Sequence, residues 1–176
     1  MDHTPAGVAS NRSRLLSLAY AAIVSGLSMA AIGGLGLAAG QPWLFPSLGP
    51  TIFIQSVTPA APAARTWNTI AGHAIGVCAG FAALFASGAQ VAPAVMASGA
   101  LSPARVAATA AAVAATVGLQ LLLKAQHPPA AATTMLVTLG GLKPDWRTVG
   151  VIAVGVVFIA LLGALVVQRH PDRGRA

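Results

Sequence analysis

Acidic side chains are almost missing from this sequence. Its 176 residues hold three, Asp2, Asp145 and Asp172. None lies within a long apolar run, so carboxylate proton relays and cation cages of Asp and Glu are excluded there. Charge of either sign is scarce: 7% of residues carry it, against about 25% in soluble domains. Such a chain cannot cover a globular surface with polar groups, and lipid surroundings remove that need. A single cysteine, Cys78, excludes an internal disulfide and a cysteine-based metal site. In its apolar run it reads as a small packing residue. The sequence also lacks a phosphate-binding Gly-Lys-Ser/Thr loop, a His-Glu-x-x-His pair and a Gly-x-Ser-x-Gly elbow. The four histidines, at 3, 73, 127 and 170, have no metal-ligand spacing. No residues present themselves for catalysis or for a cofactor, so neither is expected.

Apolar residues dominate what is there, at 56%. No Asp, Glu, Lys or Arg occurs from Leu15 to Ala64, from Thr66 to Ala104, from Val106 to Leu123 or from Thr148 to Gln168. A helix needs about 20 apolar residues to span the hydrocarbon. Inside lipid the backbone must satisfy itself, so these windows predict helices. The alternating pattern of a membrane barrel is absent. The expectation is an all-α, polytopic transmembrane bundle in contact with the lipid bilayer, multi-pass in the plasma membrane (the inner membrane of a bacterium). The net charge of +7 fits basic tails governed by the positive-inside rule. Without a basic helix or basic-aromatic interleaving, a nucleic-acid partner is not expected. The apolar run from Leu15 to Gly40 exceeds a signal-peptide core, so it reads as a retained first span.

The chain divides into a flexible basic N-terminal tail (1–14), a first membrane repeat (15–86), a connector (87–104), a second membrane repeat (105–168) and a basic C-terminal tail (169–176). Each repeat is expected to contain two long helices and a short, proline-started half-helix. A shift of 82 residues places Pro46 on Pro128, Thr51 on Thr133, Pro62 on Pro144, Arg65 on Arg147 and Thr66 on Thr148. If the half-helices are re-entrant, the chain has four spans and parallel halves. If they cross as broken helices, it has six crossings and inverted halves. Trp43, Trp67 and Trp146 fall at segment ends, the aromatic-belt position.

Two short, proline-interrupted segments at matching places point to a transport site. A helix that starts at Pro128 and Pro129 offers free N–H groups and a partial positive charge to an anion. His127 stands at its mouth, and Thr133 and Thr134 bring hydroxyls one turn on. Pro46, Ser47, Gly49 and Thr51 repeat the arrangement in the first half. Arg65, Asn68 and His73 continue it along the next helix, where buried polar groups are costly and so are functional candidates. The bland alternatives are headgroup anchoring for the arginines and interhelical hydrogen bonding for Asn68 and His73.

The segment His127-Pro128-Pro129-Ala-Ala-Ala-Thr133-Thr134, with Phe45-Pro-Ser-Leu-Gly-Pro-Thr51 and Arg65-x-x-Asn68-x-x-x-x-His73, resembles the HPP family of membrane proteins. The likeness extends from about Leu15 to Val167. Two positions depart from it, Ala131 where glycine is frequent and Trp67 where the family commonly has another residue. The resemblance implies a four-helix integral membrane protein, and some relatives in plants and cyanobacteria are associated with nitrite transport. It does not fix a substrate. The expected function is therefore a transporter or channel for a small anion such as nitrite. The alternative is a membrane scaffold or subunit that transports nothing. Four helices make a thin wall for a pore, which leaves a homo-oligomer open.

Overall fold

The computed structural model describes residues 6–168. The outermost residues of both tails, 1–5 and 169–176, lie outside the described part. Within it the protein is all-helical: α1 (Ala6–Ala39), α2 (Leu48–Val57), α3 (Thr66–Ala86), α4 (Val95–Ser98), α5 (Pro103–Leu122), α6 (Ala130–Thr138) and α7 (Trp146–Gln168), with single 3-10 turns at Pro62–Ala64 and Ala89–Val91. Four helical stretches are long and apolar enough to cross a membrane: Arg14–Ala39, Thr66–Ala86, Pro103–Leu122 and Trp146–Val166. Each overlaps a charge-free window because a charge near the bilayer centre is costly; Arg14, Arg105 and Arg147 lie in the first turn of three of them, and α1 already begins at Ala6, within the stretch expected as a tail.

Local chemistry sets the helix ends. Gly40 takes φ 61°, and its neighbour Gln41 returns an N–H to the Gly36 carbonyl, which stops α1. Pro103 starts α5, with the Ser102 hydroxyl accepting the Arg105 N–H. The Asp145 carboxylate accepts the Thr148 N–H at 2.8 Å and caps α7. That hydrogen bond holds the Asp145 carboxyl below its ordinary pKa.

Tertiary contacts give each segment a direction. Tyr20, near the middle of α1, reaches the Val166 carbonyl near the end of α7. Gln41, just after α1, meets Arg147 at the start of α7. So α1 and α7 are antiparallel. The non-helical stretch 41–47 and α2 then run beside α7, with Phe45 against Gly155 and Gln55 against Gly163. On the other side, α6 runs along α3, with Ala130 near Gly76 and Val137 near Gly80. It also runs back along α5, from Gln120 at the His127 end to Arg105 at Thr138. Each short helix therefore continues a non-helical, proline-containing stretch, and together they traverse much of the bundle's length.

Close approach of α3 to α6 needs glycine. A Cβ on Gly76 would stand 2.8 Å from the Ala130 oxygen, and one on Gly72 would stand 2.6 Å from the His127 Cβ. Small residues at such interfaces let transmembrane helices pack by van der Waals contact. Outward faces carry apolar side chains, Leu27, Phe53, Leu122 and Leu161 among them, as lipid contact requires. Trp67 and Trp146 are exposed, at the starts of the antiparallel α3 and α7, and so stand at opposite ends of the bundle. Trp43 differs in being half-buried, because its stretch is held against Gly155 of α7. The Tyr20 hydroxyl bond to Val166, 2.8 Å long, ties the middle of α1 to the end of α7. Tyr20→Phe should lower stability by about 0.6 kcal/mol and by no more than roughly 1.7 kcal/mol, read from unfolding of the protein in micelles.

Candidate functional site

The two broken segments bring their helix starts together in the middle of the bundle. Ser47, one residue before α2, bonds Thr133 of α6, hydroxyl to hydroxyl, at 2.7 Å. Thr133 is also 2.7 Å from Nδ1 of His73 on α3. The other ring nitrogen of His73, Nε2, lies 3.1 Å from the Thr51 hydroxyl. Thr51 is equally 3.1 Å from Nε2 of His127 and donates to the Ser47 carbonyl at 2.8 Å. The chain of contacts ends where Nδ1 of His127 meets the Ala63 carbonyl at 2.8 Å. All five side chains are buried, with His127, Thr51 and Thr133 at 0% exposure. The two imidazole rings are tilted 58° to each other, 4.9 Å between centres.

Sequence position accounts for each contribution. Ser47, the residue at the N-cap position of α2, and Thr51 within it are one helical turn apart and so face the same side. His73 lies one turn into α3 from Thr69 and points at the same place. His127 is held by its backbone, since its N–H donates to Oε1 of Gln120 on α5 at 2.8 Å. The site therefore rests on α2, α3, the stretch before α6, α6 itself and the 3-10 turn at Ala63.

His127, Pro128 and Pro129 sit at the turn into α6, with the Thr133 hydroxyl of the same motif completing the cluster. The family model for the HPP transmembrane region matches residues 10–175. The chain belongs to the HPP transmembrane family. No curated protein and no solved structure matches it. Of this HPP chain's twelve candidate residues, Ser47, Thr51, His73, His127 and Thr133 meet in one cluster.

The remaining seven are placed elsewhere. Asn68 is buried nearby, but its amide donates to the Gln126 carbonyl at 3.2 Å. Thr134 faces α5 and bonds Thr116 at 2.9 Å and the carbonyls of Gly76 and Ala130. Pro129 is buried, whereas Pro46, Gly49, Arg65 and Pro128 are exposed. The expected free N–H groups at the start of α6 are also differently used. Ala130, Ala131 and Ala132 donate to the carbonyls of His127, Pro128 and Pro129 in a tight first turn. The polar groups facing the cluster are therefore side chains rather than backbone donors.

Sequence reasoning missed Gln120, Gln55, Thr116 and Arg105, all buried. On α5 the buried set Arg105, Ala108, Ala112, Thr116 and Gln120 recurs every three or four residues. That spacing marks one helix face and was the available signal. Arg105 donates to the Thr138 carbonyl at the end of α6 and to the Ala92 carbonyl, both at 2.7 Å. Among the described residues no three of His, Cys, Asp and Glu come together as metal ligands.

Proposed function

We propose that the protein moves a small anion, nitrite foremost, across the bacterial plasma membrane through the polar core between α2 and α6. The observation that carries this reading is the cluster of three hydroxyls and two imidazoles, fully buried, at the meeting point of two broken segments. Polar groups inside a bilayer are expensive, and discontinuous segments at mid-depth are where transporters build their sites. Donors without neighbouring carboxylates favour an anion over a cation. The opposed directions of α1, α2, α3 and of α5, α6, α7 support the six-crossing, inverted form of the repeat. In that form one half rocks against the other around the cluster to expose it to either side. Nitrite enters by the family resemblance, and the opening step would have to free the hydroxyls from one another.

That closure favours a second reading. The cluster residues are all hydrogen-bonded within the protein, as a scaffold that only locks its helices would require. Flux measurements separate the two. Liposomes holding the purified protein should take up nitrite, compared with nitrate, chloride and formate. His127→Ala and Thr133→Val should lower that uptake at least about tenfold while still inserting. Well-folded protein without flux for any of the four would establish the scaffold instead.

A further inference from the structure

The cluster is one hydrogen short. Six contacts hold it together: Ser47 to Thr133, Thr133 to His73, His73 to Thr51, Thr51 to His127, Thr51 to the Ser47 carbonyl and His127 to the Ala63 carbonyl. Each needs one hydrogen. With neutral imidazoles the three hydroxyls and two rings supply five.

The carbonyls decide where the shortage falls. Ala63 can only accept, so neutral His127 carries its hydrogen on Nδ1 and presents a lone pair at Nε2. The Ser47 carbonyl can likewise only accept, and it competes with that lone pair for the single hydrogen of Thr51. His73 must then donate from Nε2 to Thr51 and accept at Nδ1 from Thr133, which accepts from Ser47. Every contact is satisfied only when a hydrogen is added at Nε2 of His127. The Thr51 oxygen then accepts from both rings while its hydrogen goes to Ser47. A second added proton has no acceptor waiting, and the two rings are too close to share two charges cheaply.

We propose that the His127–Thr51 contact binds one proton, and that this proton crosses the membrane together with the anion. The inference rests on the transport reading above. Uptake forms one N–H bond at Nε2 of His127 and breaks none within the protein. Release to the opposite side reverses it. The imidazolium so formed offsets the charge of one anion, which makes the pair neutral in transit. Surrounding elements offer no competing site. Segments α2, α6 and residues 148–168 of α7 contain no Asp, Glu, Lys or Arg. Arg65 and Lys124, at the ends of α3 and α5, are exposed, as is Cys78 on α3. Arg105 lies at the far end of α5 beside Thr138.

The test uses liposomes loaded with a pH-sensitive dye. An inward nitrite gradient should acidify the lumen, and an inward proton gradient should raise nitrite uptake. Thr51→Val keeps both imidazoles but removes the shared hydroxyl. It should cut the proton movement at least about tenfold, and Thr51→Ser should restore it. Nitrite flux indifferent to the pH gradient, or coupling that survives in Thr51→Val, would overturn the proton site and leave the transport reading standing. If no nitrite moves at all, the transport reading fails, and coupled transport fails with it. Nitrogen-15 spectra of the histidine rings then test the proton site itself. One proton taken up by the pair, at His127, supports it, while two or none refutes it.

Discussion

Gly76→Leu should abolish the folded bundle. At this position α3 lies against the first turn of α6, with the Ala130 oxygen 2.8 Å and the Thr134 hydroxyl 2.9 Å from where a Cβ would be. A backbone carbonyl inside a helix cannot swing aside. Gly80, one turn on, would meet the Val137 Cβ at 3.1 Å, so the two helices cannot slide to make room. Leucine must therefore push α6 away. That breaks the bond from Thr134 to the Gly76 carbonyl and pulls Thr133 from His73. Gly76→Ala, the milder change, should cost about 1–3 kcal/mol by overpacking. Gly34 on α1 has nothing within 4 Å, so Gly34→Leu is the control and should behave as the native protein. Size-exclusion profiles and unfolding in micelles report the result. A monodisperse Gly76→Leu protein of native stability would show that α3 and α6 do not pack this closely.

The second large effect is expected at Arg105. Its side chain is 4% exposed, near the start of a membrane-length helix, and no described carboxylate pairs with it. The guanidinium is held by the Thr138 and Ala92 carbonyls instead. The end of α6 presents carbonyl groups with a partial negative charge, which favours a cation there. Hydrogen bonds to charged groups are worth about 1.5–3 kcal/mol each. Arg105→Met should therefore destabilise the protein by about 3–5 kcal/mol, because one buried and one half-buried carbonyl are left unpaired. Arg105→Lys keeps the charge but not the rigid fork that reaches two separate segments, and should fall between. If Arg105→Met unfolds like the native protein, the end of α6 draws its stability from elsewhere.

Much of the architecture was legible beforehand. The four membrane-length helices and the proline breaks before both short helices coincide with features of hydropathy and of proline and glycine placement. The candidate residues were only partly separable. Thr133 and Thr134 are neighbours of the same type, yet one faces His73 and the other faces α5. Arg65 and His73 were grouped as one inward line, but Arg65 is exposed and His73 is buried. The helix phase alone cannot tell which side of α3 meets protein and which meets lipid.

By itself the sequence determined that this is a helical membrane protein of the HPP family, where its long helices lie, and where prolines break the chain between them. Burying a charge in lipid is costly, and proline cannot continue a helix from its interior, so both leave local marks in the chain. Only the tertiary structure decided that Ser47 meets Thr133, 86 positions away, that two histidines share one threonine, and that Arg105 caps α6. Lipid is as apolar as leucine, so hydropathy carries no record of which helix faces meet. Those pairings follow from close packing at glycine and from matching donors to acceptors, which exist only once the segments stand side by side.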